Sequence, residues 1–227
     1  EEGRLIGYRV ADGMGPMRIL SNRATMQRVR EVFPYLCSSI DFARPGVLAR
    51  RVAWLNMEEV SDDNAAVEVA GLHVRFFPVF HGGTYVSLGF AFGRKPRGGH
   101  PFVYISDVKE VPLETMTWLK DVANIGIDLL VVDALSRKDH VSHFSLSEAL
   151  SFVRELRPKR TLLVGMSSCE MGDHDEVNED LAALRASEGL DIQLAHDGMM
   201  LPELPAGCQV PAEPSEEYRA SKMLRSG

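Results

Sequence analysis

No apolar run in this chain approaches the roughly 20 residues a membrane-spanning helix needs, and charges interrupt every strand-like cluster. Cysteine is scarce. Cys37, Cys169 and Cys208 are odd in number, widely spaced and without a CxxC pair, which excludes a disulfide framework and fits a reducing, intracellular compartment. Basic surplus is lacking too: the formal charge of −7 argues against a broad nucleic-acid surface, although Arg157, Lys159 and Arg160 form a local basic cluster. The chain opens on Glu1-Glu2 with neither Met nor a signal peptide, which points to a processed or partial product and not to a secreted one. Internal repeats and low-complexity segments are absent.

What is present is globular. Apolar residues make up 45% of the 227, punctuated by 19 Gly and 12 Pro. Residues 1–16 are Gly-rich and unpatterned. A short strand is predicted at Met17–Leu20, then a helix capped by Ser21 or Asn22 that Pro34 ends. Val47–Met57 reads as a strand, Ala66–Val79 as a hairpin turning at Ala70-Gly71, and Tyr85–Phe92 as a further strand. Arg94-Lys95-Pro96-Arg97-Gly98-Gly99 is a solvated basic loop.

From there strand and helix alternate. Phe102–Ser106, Leu129–Val132 and Thr161–Val164 are continuous apolar strands of the kind a sheet covers on both faces. Helices are expected from Pro112 to about Asn124, over Ser145–Leu156, and from Asp173 or Asp175 to Ala186 with Gly189 at the exit. Ile192–Ala195 and Met199–Leu201 read as closing strands, and the Pro- and Glu-rich tail at 202–227 as peripheral. The expected class is α/β (α+β): antiparallel first half, alternating second half, an αββα sandwich or half of one over 1–201.

Strand ends concentrate the chemistry. His81 follows a strand and precedes Gly82-Gly83; a neutral imidazole there suits Zn, Mn or Fe, or is an ordinary strand-end histidine. Asp107 follows an apolar strand, where a carboxylate needs a partner: a metal, or the helix after Pro112 if it caps that. His140-x-x-His143 lies in a loop, so its spacing carries little geometric force. His143 stands at a helix entry and suits a phosphate donor or general acid, or a solvated loop position. Asp133 is the acceptor behind that loop. His174, Cys169 and His140 are further candidate ligands, the first two set against a plain loop with an N-capping Asp. His73, His100 and His196 receive no catalytic role.

In order, these pieces resemble the C-terminal two-thirds of a metallo-β-lactamase-fold hydrolase. The branch looks like the cyclic phosphodiesterases of phosphonate use, kin to ribonuclease Z. Phe33-Pro34-Tyr35-Leu36, Pro78-Val79-Phe80-His81-Gly82, Tyr104-Ile105-Ser106-Asp107, Asp133-Ala134-Leu135, His140-x-x-His143-Phe144, Arg157-Pro158-Lys159-Arg160 and His196-Asp197-Gly198-Met199 carry it. The resemblance implies hydrolysis of phosphodiesters by a water activated on two divalent metals, Zn or Mn. It makes His81 a metal ligand, Asp107 the carboxylate bridging both metals, and His143 the phosphate donor or acid. The implied substrate is a small phosphodiester or nucleotide-like molecule. Neither membrane nor nucleic acid is the expected partner.

The departures are specific. The family's HxHxDH motif occurs nowhere in residues 1–227, and part of the N-terminal sheet that carries it is missing. The family's last ligand falls at or near Gly165, and a neighbouring His near Ser168 or Cys169. Two ligands alone do not hold a dinuclear site. Three readings follow: a hydrolase with HxHxDH in upstream sequence, in which Cys169 or His174 replaces the ligand lost near Gly165 or the site tolerates its absence; a metal-free pseudoenzyme serving as a structural or binding subunit; and a nucleic-acid-binding relative. The sheet edge left by the missing strands invites a partner chain.

Overall fold

The computed structural model describes residues 17–34, 55–60, 66–69, 71–93 and 101–201. Among these, no helix is long and apolar enough to cross a membrane. The chain divides into two compact units, 1–65 and 66–227.

In the first unit β1 (Met17–Ser21) pairs in parallel with β2 (Leu55–Glu59). Helix α1 (Arg23–Val32) starts where the Asn22 side chain accepts the Thr25 N–H at 2.9 Å, and it buries Met26.

The second unit is built on one seven-stranded sheet in sequential order. Its strands are β3 (Ala66–Val69), β4 (Leu72–Phe80), β5 (Val86–Gly93), β6 (Phe102–Ile105), β7 (Leu129–Asp133), β8 (Arg160–Val164) and β9 (Ile192–Leu194). β3 to β6 pair antiparallel, and β6 to β9 pair in parallel. The parallel half needs crossovers, supplied by α2 (Leu113–Ile125), α3 (Leu146–Leu156) and, after the short α4 (Ser168–Met171), α5 (His174–Glu188).

One face of the sheet forms the main core. Phe77, Val79, Ala91, Val103, Ile105, Leu130, Val132 and Leu163 pack there with Leu119 and Val122 of α2, Phe152 and Val153 of α3, and Val177 and Leu181 of α5. The opposite face carries a smaller cluster around Leu129, Val131 and Leu162. Every residue of β7 is therefore buried, which is why its sequence shows no polar alternation. Gly89 faces Phe77 across the β4–β5 ladder, and the Phe77 ring fills the space above it on its way to Trp118, 5.2 Å between ring centroids.

Several expectations are corrected. The first half is not uniformly antiparallel, since β1 and β2 run parallel. Met199–Leu201 is not a strand: it follows a turn at Asp197-Gly198, and Met199 N–H returns to the His196 carbonyl at 3.1 Å. β2 extends past Met57 to Glu59, and the part of that expected strand at 47–54 lies outside the described residues. The Gly-rich start, the loop of Arg94, Lys95 and Arg97, His100 and the 202–227 tail also lie outside them. Asp173 rather than Asp175 caps α5, accepting from Asp175 and Glu176 N–H. The short α4 was not anticipated.

Gly89→Ala would put a Cβ 2.3 Å from the Phe77 ring. The expected loss is about 1–3 kcal/mol, seen as a lower urea midpoint at unchanged m-value.

Candidate metal centre

Topology gathers the candidates at one edge. β4 and β6 are both antiparallel to β5, so they run the same way, and β7 and β8 run with β6. Four strands thus end together, and the residues just past them are His81, Asp107, the segment following Asp133, and Gly165.

The first loop is a tight turn. His81 N–H donates to the Tyr85 carbonyl at 2.8 Å, and Tyr85 N–H to Gly82 at 3.1 Å. Gly82 has φ +81°, and a Cβ there would lie 2.9 Å from Ser142 Cβ and 3.0 Å from the Val141 carbonyl oxygen. Only glycine lets this turn lie against the loop that carries His143. The second loop is tied to the same strand end: Lys109 N–H and Glu110 N–H both donate to the Phe80 carbonyl, at 2.6 and 3.1 Å. Ser106 Oγ donates to Asp107 Oδ2 at 2.7 Å.

The third loop leaves β7. Leu135 N–H donates to Phe144 at 2.9 Å and Leu146 N–H to Ser136 at 2.8 Å, folding residues 135–146 back on themselves. Helix α3 then begins in a capping box. Ser145 Oγ accepts the Glu148 N–H, and Glu148 Oε2 accepts the Ser145 N–H at 2.8 Å. Lys109 Nζ reaches Glu148 Oε1 at 2.6 Å and joins the second loop to this helix start. Burial pushes the Glu148 carboxyl up, but Lys109 and both Ser145 donors outweigh it and hold the group below the usual range.

These three loops bring His81, Asp107 and His143 together, with one ligand atom from each within 4.8 Å of the others. The His81 and His143 rings meet edge to face, 4.5 Å between centroids. His81 Nδ1 is buried without a hydrogen-bond partner. Behind the cluster, Asp133 is fully buried. Its Oδ2 pairs with His143 Nδ1 at 2.6 Å and accepts Val108 N–H at 3.3 Å. Its Oδ1 has no partner. Desolvation raises the Asp133 carboxyl above the usual range, against the opposing pull of His143 and Val108.

The remaining candidates sit elsewhere. His174 Nε2 donates to the Ala195 carbonyl at 3.2 Å, holding α5 to the β9 end, and its Nδ1 accepts from Asn178 of the same helix at 3.3 Å, so both ring nitrogens are engaged. Cys169 is exposed on α4. His140 Nδ1 accepts from Ser142 N–H and faces Ser142 Oγ at 3.2 Å, beside His143 but not among the three clustered ligand atoms. Asp107 does not cap α2, whose N-cap position is Pro112. Gly165 has φ +79°, and a Cβ there would come within 2.8 Å of Asp133 Oδ1. The sequence carries no signal for the demands on Gly82 and Gly165 or for the Lys109–Glu148 link, whereas the Ser145-x-x-Glu148 capping box is a motif that could have been found.

Three strand-end loops that bring His, Asp and His to one sheet edge make a candidate metal site. A family model, the beta-lactamase superfamily domain, matches residues 9–166. The chain belongs to that family, the metallo-β-lactamase fold. Among solved structures it is similar to a diphosphatase from the PhnP family at 27% identity and TM-score 0.64, over 87% of this chain and 62% of that one. It is also similar in fold to unliganded yeast PDE1, at 17% identity and TM-score 0.56 over 81% and 59%, and to the Bacillus subtilis metallo-beta-lactamase fold protein YhfI, at 14% identity and TM-score 0.53 over 80% and 63%. The chain therefore spans about three-fifths of these relatives. No curated protein matches.

Two variants probe this geometry. Gly165→Ala strains a left-handed backbone and crowds Asp133, with an expected cost of about 1–3 kcal/mol, measured by chemical denaturation. Glu148→Gln retains a capping side chain but removes the ion pair with Lys109. Because the Glu148 carboxyl is held below its unfolded value, its contribution is complete above the ordinary glutamate range and is lost as pH falls through the folded value. The wild-type advantage is expected to be on the order of 1 kcal/mol or less near neutrality and to vanish in acid, read from denaturation midpoints across pH.

Proposed function

We propose that this chain is a metal-dependent phosphoester hydrolase acting on a small phosphodiester or nucleotide-like substrate inside the cell, with its working domain ending near Leu201 and 202–227 as a peripheral tail. The observation that carries the reading is the convergence of His81, Asp107 and His143. Two imidazoles and a carboxylate suit Zn, Mn or Fe, and the unpartnered His81 Nδ1 fits a site that gains from a ligand. A bound divalent cation supplies an acidified water and a Lewis acid for a phosphoryl oxygen. The chain's own part is placement. Asp107 brings the negative charge, Ser106 orients its carboxylate, and Asp133 holds the His143 ring. The likeness to a diphosphatase supports a phosphorus-centred substrate.

A second reading, a metal-free binding or structural subunit, draws on Gly165. The family resemblance puts a ligand near that position, and Asp133 Oδ1 occupies the space where its Cβ would go.

Metal content and turnover of bis(p-nitrophenyl) phosphate by the full 227-residue chain separate the two. The hydrolase reading expects bound transition metal, and loss of both metal and turnover in His81→Ala and Asp107→Ala with thermal unfolding near wild type. A metal-free wild type without turnover, whose two variants lose only stability, would establish the binding subunit instead.

A further inference from the structure

We infer that Tyr85 is a specificity-determining residue: its ring forms a wall that takes a planar aromatic group, a nucleobase, on a substrate whose phosphoester lies over His81, Asp107 and His143. This rests on the hydrolase reading above and adds to it the class of group the substrate carries beyond the phosphorus.

Placement carries this more than exposure, because apolar side chains standing singly in solvent are common. Tyr85 closes the turn that begins at His81, and its backbone is used twice. Its carbonyl accepts the His81 N–H at 2.8 Å, and its N–H donates to the Gly82 carbonyl at 3.1 Å. The side chain takes no part in those bonds. Its ring meets the His81 ring edge to face, 6.0 Å between centroids, while 68% of the residue stays open to solvent. A tyrosine on a fixed backbone offers a large flat surface at little cost in side-chain entropy, since only two torsions are fixed on contact.

The rings around the cluster have two unlike ends. Contacts run from Tyr85 to His81, from His81 to His143 at 4.5 Å, and from His143 to His140 at 5.4 Å between centroids. Among the described residues, Tyr85 supplies the one carbon ring in contact with these histidines. At the other end, His140 Nδ1 accepts the Ser142 N–H at 3.3 Å, which puts the ring proton on Nε2 as a donor. The donor end suits ester oxygens, and the Tyr85 end suits a flat, uncharged group that stacks on an aromatic face or edge. Val141, 82% exposed, borders the same turn, since its carbonyl oxygen lies 3.0 Å from where a Gly82 Cβ would stand. All of these contacts fall between residues 81 and 143, inside one compact unit. A phosphoester with a nucleobase matches both ends, whereas a bare sugar phosphate leaves the Tyr85 ring without a partner.

Equilibrium dialysis and saturation-transfer NMR in the presence of Mn²⁺, with AMP and ribose 5-phosphate as probes, test this without any dependence on turnover. The two probes share phosphate and sugar and differ by the adenine. AMP is expected to bind about 10-fold more tightly, with saturation strongest at the adenine protons. Tyr85→Ala should abolish that preference and leave ribose 5-phosphate binding unchanged, while Tyr85→Phe should preserve it. If Tyr85→Ala unsettles the turn, Tyr85→Leu keeps the bulk, loses the ring and carries the same expectation. Equal affinity for the two probes in wild type, binding of neither, or a preference that survives in Tyr85→Leu would overturn the inference. With metal bound and bis(p-nitrophenyl) phosphate turned over, the hydrolase reading would still stand. A Tyr85-dependent preference in a protein without bound metal or turnover would uphold the nucleobase wall and end the hydrolase reading.

Discussion

A single buried carboxylate organises the functional edge of this protein. Asp133 ends the central strand β7 with no solvent access, and a carboxylate in that position is costly unless its oxygens are used. One oxygen is used twice, by the His143 ring and by the Val108 amide, so the group that terminates β7 also fixes the loops that follow β6 and β7. The other oxygen is left without a partner. Part of the desolvation cost therefore remains, and the carboxyl's raised affinity for a proton expresses it. Gly165 belongs to the same account, because any larger residue would press on that oxygen.

The placement of the site follows from strand direction. Parallel strands in a sheet bring their C-terminal ends to one edge, where loops collect ligands. Here the antiparallel β4 joins that set because it is separated from β6 by one intervening antiparallel strand. The main-chain bonds from Lys109 and Glu110 to Phe80 then lock the end of β4 to the loop after β6. His81 and Asp107, 26 positions apart in the sequence, become neighbours through backbone hydrogen bonds rather than through anything their own side chains do.

The start of α3 extends the same logic outward. His143 stands two residues before the Ser145 cap, so the capping box that starts the helix also limits where His143 can go. Lys109 bonds to the N3 glutamate of that box, which couples helix initiation to the loop bearing Asp107. Local chemistry worth about 1 kcal/mol at a helix cap is here part of the support for a site assembled from three loops.

Much of this was legible in the chain. Continuous apolar runs at Phe102–Ile105, Leu129–Val132 and Thr161–Val164 read as covered strands, and two helix starts were narrowed to Ser21 or Asn22 and to Asp173 or Asp175, with the structure choosing Asn22 and Asp173. The family could be read from ordered fragments, and the sequence singled out His81 and Asp107 after strands and His143 at a helix entry as candidates, without showing that the three meet. His174 and Cys169 could not be told apart from ligands, because a sequence does not show which ring nitrogen is already bonded or which thiol faces water. Met199–Leu201 read as a strand because three apolar residues look alike in a strand or a packed loop. The sequence by itself determined which residue types stand at the strand ends, since periodicity and capping are local. Only the tertiary structure decided which of them meet, because that depends on strand direction, on a glycine close enough to let two loops touch, and on which buried oxygen is already taken.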